Sequence, residues 1–172
     1  VEPALLLTVA TLALVTGHTS FAAIFSAATP VEMRFTIILL LLGYLLTKIF
    51  FVEQGRVPVD DPRTHLELTM IHEAMCLDYC GIDLAFIQIA GWLKGAALAV
   101  LAADTLLLGG ALRWWWAAPL AVLLPGLAVG IVESSQARNK LSRNPTFILT
   151  LAALAALTFF VALLLHLNID IR

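Results

Sequence analysis

The chain has 172 residues, 61% of them hydrophobic and only 13% charged, with a mean hydropathy of +0.97. Soluble domains carry roughly 25% charge, so the composition excludes an ordinary soluble globular protein and points to lipid as the solvent. A net charge of −2 leaves no basic stripe to neutralise phosphates, which excludes nucleic acid as a partner.

An α-helical membrane span needs about 20 mostly apolar residues. The first candidate, residues 4–28, is uncharged and interrupted only by Gly17-His18-Thr19-Ser20, with His18 read as a hydrogen-bonded structural histidine. The second, 35–51, is short and rich in Leu and Ile, with Lys48 near its end. A polar segment, 52–83, follows. The third span, 84–108, contains Lys94 and Asp104; the fourth is 117–132, with Glu133 at its end; the fifth is 147–167. Polar residues do not alternate along these stretches as β-barrel strands require, and an apolar helix satisfies its own backbone hydrogen bonds in lipid. The expected fold is therefore all-α: one integral membrane domain over 1–172, a polytopic bundle of about five transmembrane helices.

Five spans place the polar segment and Ser134 to Pro145 on one side, with Lys48, Arg56, Arg63, Arg138, Lys140 and Arg143. The other side has Arg34, Arg113 and Arg172. By the positive-inside rule the polar segment faces the cytoplasm. The run Trp114-Trp115-Trp116 then belongs to the far interface, where indoles keep one edge apolar and one wet.

Segment 52–83 is where the chemistry gathers. It carries nine of the 22 charged residues, seven of them acidic: Glu53, Asp60, Asp61, Glu67, Glu73, Asp78 and Asp83, beside Arg56 and Arg63. Pro58 and Pro62 bracket the Asp60-Asp61 pair and forbid a continuous helix there. Thr64 stands three residues before Glu67, the spacing of a capping box, and Gly81 is placed to stop the helix that begins at His65. On that helix the acids and His72 lie among Leu66, Leu68, Met70, Ile71, Met75 and Leu77 almost all round. A buried carboxylate exchanges its proton nearer neutrality than a solvated one; composition alone leaves a plain solvated loop equally open. His72, Cys76 and Cys80 fall at helical spacing but supply too few ligands for a closed zinc site, so no metal is expected. Within the spans, Lys94 and Asp104 are costly in lipid and read as stations on an intramembrane polar path. Glu133 is a candidate end of that path.

Glu53-Gln54-Gly55-Arg56-Val57-Pro58-Val59-Asp60, then Asp61-Pro62 and Thr64-His65-Leu66-Glu67-Leu68, resembles a family signature. It looks like the cytoplasmic loop of the membrane subunit that anchors the hydrophilic arm of respiratory complex I and its relatives. Glu53, Arg56, Pro58, Asp60, Pro62 and Glu67 match that signature residue by residue. Asp78-Tyr79-Cys80-Gly81 looks like the family's Glu-Tyr-Ser-Gly. Val59, the His72-Glu73 pair and Lys94 are closer to the subunit of energy-converting group 4 NiFe hydrogenases, such as formate hydrogenlyase.

The resemblance implies a non-catalytic coupling subunit of a multi-pass inner-membrane complex. It docks hydrophilic hydrogenase-arm subunits on the loop and links redox chemistry to proton or sodium translocation with antiporter-like membrane subunits. Glu53, Asp60, Asp61, Glu67, His72, Glu73 and Asp78 become proton-coupling groups, organised by Arg56. No cofactor is expected in this chain; the NiFe centre and iron–sulfur clusters belong to partners. In the alternative, a complex I-type NADH:quinone oxidoreductase subunit, quinone binds. A further alternative is a stand-alone ion-coupled transporter using Lys94 and Asp104. The family carries more spans before the loop than the two present here, so about three N-terminal spans are expected to be missing from this chain.

Overall fold

A computed structural model describes residues 1–27, 33–55, 79–106, 117–135 and 144–167. Every regular element among them is helical: α1 (Glu2–Thr16), α2 (Phe21–Ala27), α3 (Met33–Glu53), α4 (Ile82–Leu106), α5 (Ala117–Ser135) and α6 (Asn144–His166). The protein is an all-α membrane bundle. Thr36–Glu53 in α3, and α4 and α6 throughout, are long and apolar enough to cross a bilayer; Glu2–Thr16 and Leu123–Val132 are shorter apolar helices.

The chain breaks between α1 and α2 for a local reason. Gly17 takes the left-handed conformation (φ 69°) and its N–H donates to the Ala13 carbonyl at 2.9 Å, a glycine C-cap that closes α1. His18 stands exposed in this break, so it is not the buried structural histidine of a continuous span. Pro125 lies inside α5 and removes one backbone donor there, which lipid-embedded helices tolerate where neighbouring groups satisfy the freed carbonyl.

The core is built on α3. Ile38, Leu39, Leu42, Leu45, Leu46 and Ile49 are buried on a stripe of helical period, while Ile37, Leu40 and Tyr44 face outward. Against it pack α1, α4 and α6. α1 packs against α6, and small side chains are prominent among the buried residues of both: Ala4, Thr8 and Thr11 beside Leu12 on one helix, Ala155, Thr158 and Ala162 beside Leu151 on the other. Small residues let lipid-embedded helices approach closely, where dispersion replaces the hydrophobic effect as the adhesive. The threonine hydroxyls do not bridge the helices. Thr8 donates to the Leu5 carbonyl at 2.7 Å, Thr11 to Leu7 at 2.6 Å and Thr158 to Ala155 at 2.8 Å.

α3 and α4 run antiparallel. Two glycines show this directly. A Cβ on Gly95 would lie 2.6–2.9 Å from the carboxamide of Gln54, and one on Gly43 would lie 2.7 Å from Leu106 and 3.1 Å from Thr105 Oγ1. Each step back along α3 is thus matched by a step forward along α4. The residues between them, Phe50 and Phe51 from α3 with Leu98 and Ala99 from α4, form a buried apolar cluster.

Gly43→Leu should therefore force α3 from α4. Overpacking a close contact costs about 1–3 kcal/mol, and a lower unfolding midpoint of the purified complex is the expected result. Gly91→Leu, where nothing lies within 4 Å, should leave the midpoint unchanged or raise it, since a helical glycine costs about 1 kcal/mol relative to good helix formers.

Candidate functional site: an ion pair between α3 and α4

Glu53 is the last residue of α3 and Lys94 the thirteenth of α4. The Lys94 Nζ donates to Glu53 Oε2 in a charge-assisted hydrogen bond and ion pair. The carboxylate is 13% exposed and the ammonium 55%. In lipid an outward-facing ammonium has little hydration to draw on, so its paired carboxylate supplies much of the compensation.

Local backbone chemistry positions the carboxylate. The Gln54 N–H donates to the Phe50 carbonyl at 3.0 Å and the Gly55 N–H to Val52 at 3.1 Å. Gly55 then turns left-handed at φ 58°, so α3 stops one turn beyond the apolar cluster and leaves Glu53 against α4. Gln54 lies over Gly95. Gly95 is the first buried residue of α4; every residue from Ile82 to Lys94 is exposed. The ion pair thus marks the point where α4 leaves the bundle.

Asp104 lies on the same helix ten residues on, about 15 Å of rise, and is fully buried with Thr105. Lys94 and Asp104 do not meet; the partner of Lys94 is Glu53. Lys48 lies 5.5 Å over the Tyr44 ring, a cation–π contact with the residue one turn earlier. Glu133 is in α5, where its side chain is outside the described set. Arg56, Asp60, Asp61, Glu67, His72, Glu73 and Asp78, with Cys76 and the tryptophan run, also lie outside the described residues. The residues that chain reading passed over are Gln54 and Gly95. The only signal available for them was adjacency: each follows a member of the ion pair.

The fold and this site define a polytopic helical membrane protein with an ionic contact at the root of an acidic segment. A family model described as NADH dehydrogenase matches residues 1–168. The chain belongs to that family and is a complex I-like membrane subunit of a multisubunit complex. No curated protein and no solved structure matches it.

Glu53→Gln and Lys94→Met should each reduce the yield of assembled complex several-fold, because each leaves the other charge without its counter-ion. The double variant should recover more than either single, since removing both charges is far better tolerated than removing one. Yield and thermal midpoint in detergent check this; additive losses would show that the pair does not act as a unit.

Proposed function

We propose that this subunit docks the hydrophilic redox arm of an energy-converting hydrogenase complex and couples its electron transfer to proton or sodium translocation. The observation that carries the reading is the Glu53–Lys94 pair. Glu53 opens the acidic motif, and its partner stands on the next apolar helix, so a charge change in the motif alters an interaction inside the bundle. Family membership over residues 1–168 supports a subunit of this kind. Val59, His72-Glu73 and Lys94 favour the group 4 hydrogenase branch, with formate hydrogenlyase as the type.

On this reading the motif faces the cytoplasm from the inner membrane. Glu53, Asp60, Asp61, Glu67, Glu73 and Asp78 carry or relay protons, with Arg56 holding them by charge-assisted hydrogen bonds and His72 beside them. Lys94, Asp104 and Glu133 continue the polar path toward antiporter-like membrane partners. Nickel, iron and iron–sulfur centres sit in the hydrophilic partners, and this chain holds none. A second reading, the quinone-site membrane subunit of a complex I-type NADH:quinone oxidoreductase, is favoured by the description of the matching family. Co-purification separates them: a NiFe large subunit supports the first, a quinone-reducing arm the second.

Asp60→Asn and Glu67→Gln in the intact complex should abolish ion translocation while dye-linked electron transfer by the hydrophilic arm persists. Ion uptake into inverted membrane vesicles reads the effect. Unchanged uptake in both variants would remove the coupling role.

A further inference from the structure

Gln54 belongs to neither charge, yet its head group occupies the space that any side chain at position 95 would need. A Cβ there would lie 2.6 Å from its Nε2, 2.8 Å from Cδ and 2.9 Å from Oε1. The backbone of Gln54 is fixed by its bond to Phe50 and by the left-handed turn at Gly55. Gly95 is fixed inside an unbroken helix of 25 residues. Two rigid elements therefore meet through one flexible amide, directly beside the contact between Glu53 and Lys94. One turn back along α3 the interface becomes apolar, with Phe50 and Phe51 at 8%, Leu98 at 6% and Ala99 at 2% exposure.

We infer that Gln54 is a positioning residue: its amide, seated in the notch left by the missing side chain of Gly95, holds the Glu53 carboxylate on Lys94. The seat has a steric and a polar component. Gly95 lets the α3 terminus approach the α4 backbone, as glycine does wherever close approach is required. The amide puts a polar group, rather than a hydrocarbon one, between the charges and the apolar cluster, so the pair is not pressed against groups that cannot solvate it. Ala at position 95 expels the amide at small cost to the fold, because the obstructing atoms are the far end of a flexible side chain. Ala at position 54 empties the same seat from the other side. Both changes release Glu53 by one shared route, and groups that act through one contact give non-additive effects.

This inference deepens the coupling role of the ion pair but is tested independently of it. Zero-length carbodiimide coupling in the intact complex joins a carboxylate and an amine only where they touch, and peptide mass spectrometry reads the Glu53–Lys94 amide. The native complex should give this cross-link. Gly95→Ala and Gln54→Ala should each lower its yield about fivefold, and the double variant should fall no further than the weaker single. Gln54→Asn, which keeps an amide one methylene shorter, should retain more cross-link than Gln54→Ala. The pH profile of ion-coupled turnover should shift in both single variants. Absence of the cross-link in the native complex, unchanged yields in both singles, or additive losses in the double would each overturn the positioning role. Lower cross-linking with an unaltered pH profile would uphold the positioning of the pair and count against its part in coupling.

Discussion

The close antiparallel approach of α3 and α4 is the constraint on which the remaining geometry depends. It requires the absence of a side chain at two places, Gly43 and Gly95, about 17 Å apart along the axis at 1.5 Å per residue. A large side chain at Gly43 would push the helices apart, whereas bulk at Gly95 would first displace the flexible Gln54 amide. Separation at Gly43 would open the buried cluster of Phe50, Phe51, Leu98 and Ala99, and loss of the Gln54 seat at Gly95 would loosen Glu53 from Lys94. A lipid-embedded bundle cannot replace that loss with hydrophobic burial, because lipid wets leucine as well as protein does. Close contact between backbones is what distinguishes the folded arrangement from separated helices.

The ion pair gives this contact a chemical meaning. Most of the bundle consists of hydrocarbon against hydrocarbon, with threonine hydroxyls turned back onto their own helices. Such surfaces specify distance well and axial register poorly. A single carboxylate and a single ammonium meeting across two helices specify register directly, and one-partner arrangements of this kind are the best-attested use of buried polar groups. In this complex I-like membrane subunit, the same contact stands between the acidic motif in sequence and the helical interior in space.

Much of this was legible from the residues alone, for identifiable reasons. The acidic segment stood out because charge is rare elsewhere, and its ordered motif pointed to the family that the match over 1–168 establishes. Helical character followed from long apolar runs, but the break at Gly17 did not, since residues 4–28 read as one uncharged span. The pairing of Glu53 with Lys94 did not follow, since the partners are 41 positions apart and nearly every face of α4 is apolar. Without a polar face, nothing in the chain announces which way a helix turns. Packing rather than spacing decides that Asp104 is fully buried while Lys94 stands at the bundle's edge. Gln54 and Gly95 are ordinary residues by type; their importance lies in what the other leaves empty.

The exposure of α4 from Ile82 to Lys94 carries a mechanical consequence. That half of the helix is a rod about 20 Å long at 1.5 Å per residue, gripped within the described bundle only from Gly95 onward. An α-helix resists twisting about its own axis through its ladder of backbone hydrogen bonds. Any rotation imposed where α3 grips α4 is therefore delivered to Ile82, at the end where the acidic segment rejoins the helix.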